Sequence, residues 1–172
     1  GGYTIDGEDY HIPVNYRTAV FGSALLKNIT FDEVEDQKIR HWNCDLNGKQ
    51  TAFPVKTPSG YAARIEKGRL YQGLALKKSP QERTLSVSFR AQGTGTFEVL
   101  FYRYADIPLE KPKDGQYTRQ GFVKSERHQK YELDPAGQVY TFNYTVPANE
   151  YVSIAFHAQD AVVDDLAIHQ LP

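Results

Sequence analysis

The chain has 172 residues, 20 basic and 21 acidic, for a net charge of −1; that length suits one domain or one domain with an arm, and the charge balance gives no general reason for a nucleic-acid partner. The composition holds 12 Tyr, 9 Phe and 1 Trp but no Met, not even at position 1, so the chain is expected to be a piece cut from a larger protein, with Gly1-Gly2 as a processing scar. Its one cysteine, Cys44, excludes an internal disulfide and a cysteine-based metal site, and reads as a small buried side chain.

Residues 1–24 show only a loose alternation of Tyr3, Tyr10, Ile12, Val14 and Tyr16, and are read as an arm or linker packing on a domain of residues 25–172. From Leu25 onward the pattern is that of a β-protein. Leu70, Leu74 and Leu76 share one parity. Leu85, Val87, Phe89 and Ala91 face one way and Thr84, Ser86, Ser88 and Arg90 the other, the signature of a half-buried strand. Phe97, Val99 and Phe101 alternate with Glu98, Leu100, Tyr102 and Tyr104; Tyr140, Phe142, Tyr144 and Val146 follow the same rule. Val152, Ile154 and Phe156 alternate with Tyr151, Ser153, Ala155 and His157, and the last strand is expected at residues 161–171. Turn residues separate these runs at Pro58-Ser59-Gly60, Gly93-Thr94-Gly95, Asp134–Gly137 and Pro147-Ala148-Asn149. The stretches 107–120 and 124–130 read as loops. No apolar run is long enough to span a bilayer, and no signal peptide is recognisable. About eight short strands at such spacing predict a sandwich or barrel.

Three segments in order resemble the jelly-roll carbohydrate-binding modules found beside glycoside hydrolases and polysaccharide lyases. They are residues 25–43, with Asn28, Phe31-Asp32 and Trp42; residues 60–76, with Tyr71-Gln72; and residues 161–171, with Asp164-Asp165 before alternating apolar positions. The resemblance implies an all-β fold, a β-sandwich (jelly roll) of two antiparallel sheets. It also implies a structural Ca2+ held by Asp32 and by one acid of the terminal pair, with Asp165 preferred. Simple alternation places Asp164 on the face of Leu166 and Ile168 and Asp165 opposite, and a bulge would exchange them. Calcium accepts such oxygen donors in irregular geometry; the alternative is a set of solvated acids.

The polar faces of the strands supply the other candidate site. Ser86, Ser88, Arg90, Tyr102, Tyr104, Tyr151, Ser153 and His157 all lie opposite core positions, and on one curved sheet they would line a trough. Rings that stack on sugar C–H faces, together with planar donors and acceptors for hydroxyls, are what sugars need; ordinary cross-strand pairing is the competing reading for each Tyr. Trp42 is either a stacking platform or a core plug, and Gln72 either a sugar ligand or strand interior. Tyr117, Arg119, Arg127 and His128 are candidates for the rim, where Arg would favour an acidic sugar.

Catalytic patterns are absent: GxSxG, HExxH, CxxC and the P-loop do not occur, and Glu98 is the only acid evident on the trough face. The expectation is therefore a non-catalytic module that binds a poly- or oligosaccharide and sits beside a catalytic domain in a secreted or cell-surface bacterial protein. Neither nucleic-acid binding nor membrane insertion is expected. Two alternatives stand beside it: a structural or interaction sandwich, favoured by a buried Trp42 and a plugged trough, and a small lyase or hydrolase, favoured by a close acid pair or a His–Tyr–Arg cluster.

Overall fold

The structure, a computed structural model, describes residues 24–172. The expected arm lies, but for Ala24, outside the described residues. Among the described residues there is no helix, hence none long and apolar enough to cross a membrane. In chain order the strands are β1 (Val34–Glu35), β2 (Lys38–Ile39), β3 (Asp45–Leu46), β4 (Lys49–Gln50), β5 (Ala52–Thr57), β6 (Gly60–Gly73), β7 (Arg83–Gly93), β8 (Thr96–Lys113), β9 (Gln116–Glu132), β10 (Gln138–Val146) and β11 (Glu150–Gln170).

The fold is an all-β sandwich of antiparallel strands in which two long strands serve both layers. Residues 161–170 of β11 pair with β7, while residues 150–158 pair with β8 on the same side. β6 runs along the other side of β11 from Ser153 to Val163, spanning the passage between the two stretches. One layer therefore reads β10-β7-β11-β6-β5, and the other β9-β8-β11-β6, with Asn43 bridging to Tyr71 at its edge. The passage between layers is marked by positive φ at Asp160 (56°) in β11 and at Gly68 (135°) in β6. Gly68 is required twice over: its φ is one L side chains avoid, and a Cβ there would sit 2.7 Å from Thr51 Cγ2. At these points the core-facing parity switches, from Leu70 to Ile65 and Ala63 in β6 and from Phe156 to Ala161 and Val163 in β11, all fully buried.

The core lies between the layers. Phe101 of β8 stacks on Tyr144 of β10 at 3.6 Å between centroids, although those strands share no ladder. Phe89 of β7 meets Phe97 of β8 at 5.4 Å and Phe156 of β11 at 5.5 Å. The alternation read in β7 is realised: Leu85, Val87, Phe89 and Ala91 are buried. Near the β9 edge, Arg103 grips Glu150 with two bonds of 2.7 and 2.9 Å, and Glu126 accepts from Arg103 (3.4 Å) and the Tyr144 hydroxyl (3.2 Å). Burial, and then the Glu126 charge, push the Tyr144 hydroxyl well above the ordinary tyrosine range.

Two loop expectations are corrected. Residues 107–120 form a ribbon in which β8 and β9 continue to pair and turn at Asp114-Gly115, with Gly115 at φ 76°. Residues 124–130 are the interior of β9, which pairs with β8 alone. Both were hidden for one reason. Alternation marks a strand only where one face is buried, and β9 is exposed along most of its length. Its charges are those of an edge strand protected from further pairing.

Candidate functional site

The outward face of the second layer is a grid set by three ladders. Across β6, β11, β8 and β9, register aligns Gly73, Ser153, Tyr102 and Ser125 in one row, then Tyr71, Ala155, Leu100 and Arg127, then Arg69, His157, Glu98 and Lys130. At the opposite end Tyr151, Tyr104 and Phe122 form a row of rings. Paired residues share a face, so these side chains are neighbours by construction.

The small side chains in the β11 column leave a hollow that Tyr102 fills. Its ring meets Tyr71 at 5.4 Å and its hydroxyl lies 2.6 Å from His157 Nε2. Tyr102 is consequently buried, forming the floor with Leu100 and Ala155 while Tyr71 and Tyr104 pack beside them. Phe122, 61% exposed, leans on Tyr104 at 5.7 Å. The Arg69 guanidinium lies 4.7 Å over the Tyr71 ring, a cation–π contact that orients both. Arg127 bonds Glu98 at 2.9 Å.

Burial holds His157 below the ordinary histidine value and raises the Tyr102 hydroxyl, so both are neutral at pH 7. The sign for His157 is definite. Its folded pKa lies below the unfolded 6.5, so the unfolded chain takes up the proton first, and its contribution is lost as pH falls below about 6.5. Asp164 acts in the opposite direction, because its pKa is raised. The expected result is a His157→Gln variant that loses less melting temperature than the parent between pH 7 and 5. Parallel curves across that window would contradict it.

Of the residues expected in the trough, Tyr102, Tyr104, Tyr151 and His157 come together with Ser153. Arg90 does not. It lies with Ser86 and Ser88 on the outward face of the other layer, opposite Val139 and Asp164, because β7 and β8 flank different halves of β11. Trp42 is a core plug: 6% exposed, it packs on Phe31 at 5.2 Å and Phe156 at 6.3 Å, and its indole N–H donates to Asn28 O at 3.0 Å. Gln72 shares the inward parity of Leu70 and clamps the main chain of Lys27, accepting at 2.8 Å and donating at 3.0 Å. It is strand interior.

The rim residues also separate. Tyr117 stands at the tip of the β8–β9 ribbon, 67% exposed, and Arg119 pairs with Ile107 on the opposite parity. His128 sits at a bulge and turns inward against Phe142 at 4.6 Å. Only Arg127 joins the grid. Sequence reading missed Arg69, Tyr71, Phe122 and Lys130 as members. Arg69 and Tyr71 carried a usable signal, being opposite in parity to Leu70. Phe122 and Lys130 did not, because register shifts at residues 123 and 128 break the alternation of β9.

A bulge is present at the terminal acids, so simple alternation does not hold there. Asp165 has φ 49° and the register shifts between Asp164 and Ala167. Val163 and Leu166 both face the core, so Asp164 points outward, away from the face of Leu166 that simple alternation assigned to it. Leu166 N donates to Ile29 O at 3.2 Å, joining the two chain segments. Asp32 accepts from Tyr61 N at 2.7 Å, and Asp164 from Asp165 N at 2.8 Å. Burial, followed by the charges of Asp165 and Asp32, raises the Asp164 pKa to about 6. Among the described residues no group of three or more His, Cys, Asp or Glu side chains is arranged to hold a metal.

For glycosidase chemistry two carboxylates must lie about 5–10 Å apart. Glu98 is the only acid in the grid rows and is bonded by Arg127; Glu132 lies one row beyond on the same face, opposite Thr96, while the next acid of that parity on β8, Asp106, is eight residues on, roughly 27 Å at strand rise, and is held by Lys78.

No protein-family model and no curated protein matches the chain. Among solved structures, a CBM4 module is similar with 20% identity and a TM-score of 0.49, over 85% of this chain and 99% of that one. TmCBM61, solved with β-1,4-galactotriose, is similar at 14% identity and 0.46, over 87% and 100%. The CBM22-1–GH10 portion of Clostridium thermocellum xylanase 10B, solved with xylohexaose, is similar at 13% and 0.49, over 87% of this chain and 28% of that one.

Proposed function

We propose that this domain is a non-catalytic carbohydrate-binding module that holds an attached polysaccharide-degrading enzyme on its glycan, in a secreted or cell-surface bacterial protein. The observation that carries the reading is the open grid. Four rings lie on one face (Tyr71, Tyr104, Tyr151, Phe122), around a floor of Tyr102, beside guanidinium, imidazole, hydroxyl and carboxylate groups that can bond sugar hydroxyls. Affinity on so open a face is expected at micromolar to millimolar, with value gained through effective concentration. A glycan-array screen of the domain tests it. Selective binding that Tyr104→Ala removes supports the reading, and no binding across plant, algal and animal glycans overturns it in favour of a structural sandwich.

One observation favours a second reading as a small lyase: Tyr102, His157 and Arg69 share one corner of the grid, with the Tyr–His pair at 2.6 Å. Incubation with uronate polymers, followed by ultraviolet absorbance of an unsaturated product, separates the two. Turnover that Tyr102→Phe abolishes would establish the enzyme.

We further propose a structural Ca2+ at Asp32 and Asp164, completed by main-chain carbonyls. The donor chemistry fits. Both carboxylates keep one oxygen beyond those engaged by Tyr61 N and Asp165 N, and a divalent cation would offset both the burial that chiefly raises the Asp164 pKa and the smaller repulsion from Asp165 and Asp32. Calcium at a hundred times its Kd is expected to add about 2.7 kcal/mol, roughly 5–10 °C of melting temperature for a domain of this size. The same addition should do nothing to Asp164→Asn. An unchanged melting curve on adding calcium or a chelator would remove the ion from the account.

A further inference from the structure

We propose that the glycan bound on this face carries carboxylates, a uronate-containing polymer lying across the sheet from Arg69 to Arg127 and Lys130. The inference rests on the carbohydrate-binding reading and deepens it. One end of the grid is cationic while the other is aromatic. Arg69, Arg127 and Lys130 share these rows with one acid, Glu98, so the three rows carry a net charge of +2 (three cations less one acid), with Glu132 one row beyond at Thr96, although the whole chain is −1. Asp106, farther along the same parity of β8, is already matched by Lys78.

Glu98 is satisfied by Arg127. Among the described residues no carboxylate lies within ion-pair distance of Arg69 or Lys130. The Arg69 Nε is spent on Asp45 O at 3.3 Å, and the guanidinium lies over the Tyr71 ring and reaches the Tyr102 hydroxyl, so its partners are neutral and its charge is left unmatched. A guanidinium held over a ring with no carboxylate partner is a pre-oriented donor for a planar two-oxygen acceptor, and carboxylate is such an acceptor.

The spacing points to a polymer. Arg69 and Lys130 occupy strands three apart, roughly 14 Å across the sheet, and so engage different sugar residues rather than one. The modest excess of +2 matches a chain with sparse charge. A densely sulfated chain would call for a larger basic field.

The test is titration calorimetry against uronate polymers (polyglucuronate, polygalacturonate, polymannuronate), their carboxyl-reduced counterparts, and dextran sulfate. Each is run with the parent domain, Lys130→Gln, the Arg69→Gln/Lys130→Gln pair, and Arg90→Gln on the opposite layer. At least one uronate polymer should bind tenfold or more tightly than its reduced form. That preference should weaken as salt is raised, shrink in Lys130→Gln, vanish in the pair and persist in Arg90→Gln. Lys130 is exposed, so its variant keeps the test valid should the Arg69 change disturb folding. Equal binding of the reduced polymers would overturn the carboxylate inference and leave glycan binding standing. Tighter binding of dextran sulfate would overturn it in favour of sulfated chains. Binding of none of these, with an empty glycan array, would bring down both the inference and the reading beneath it.

Discussion

Trp42→Ala is expected to remove about 3–5 kcal/mol of stability, the range for deleting a large buried aromatic, and roughly 6–20 °C of melting temperature for a domain of this size. The indole is the hinge between the early loop and the sandwich. It fills the space between Phe31 and Phe156, and its N–H satisfies Asn28 O. Asn28 in turn organises the loop: its side chain donates to Glu33 O and Arg40 O at 3.0 and 2.8 Å and accepts from Glu33 N at 2.9 Å. Losing the indole opens a cavity and loosens that knot together. Trp42→Phe should recover part of the loss, since it restores ring volume without the donor. Denaturant titration followed by calorimetry reads the effect. Were Trp42 a stacking platform, alanine would leave the melting temperature within about 1 °C and abolish sugar binding instead; that pattern would refute the core assignment.

The second large effect is expected on binding. Tyr104→Ala and Phe122→Ala should each weaken glycan affinity by about tenfold or more, the loss of a central aromatic contact. Both rings stand at the open end of the grid, and Phe122, at 61% exposed, supports little of the fold. Its variant should therefore melt within about 1 °C of the parent, so that a loss of binding cannot be ascribed to unfolding. Arg90→Ala, on the other layer, should change nothing. If affinity survives the loss of both rings, the grid is not the glycan surface. The combination matters because exposed aromatics on a sheet are also ordinary cross-strand partners, and only the ligand-binding role predicts a loss of affinity without a loss of stability.

The family-like residues of the first segment prove to be architectural. Asn28, Phe31 and Trp42 form one buried unit, with Asn28 and Phe31 in the left-handed region at φ 53° and 62°. Such a unit constrains the sequence through backbone conformation and packing, and it carries no information about a ligand. Resemblance in that segment therefore reports the fold, and of the two readings of Trp42 its burial favours the core plug. Gln72 is a similar case: next to Tyr71 in sequence, it faces the opposite side of the same strand, as period-two geometry requires.

The sequence by itself determined most of the strands that bury one face, the inward residues of β7, β8, β10 and the first half of β11, and the membership of Tyr102, Tyr104, Tyr151 and His157 in one outward set. These follow from alternation, which is local and survives any arrangement of the strands. Only the tertiary structure decided which outward faces coincide. β7 and β8 both flank β11, but along different halves of it, so Arg90 and Tyr102 of identical pattern end on opposite sides of the molecule. It also decided parity wherever a bulge intervenes, at Asp160, Asp165, Val123 and His128. One added residue inverts every side chain beyond it, and the need for that residue arises from closing one layer over another, which no single strand records.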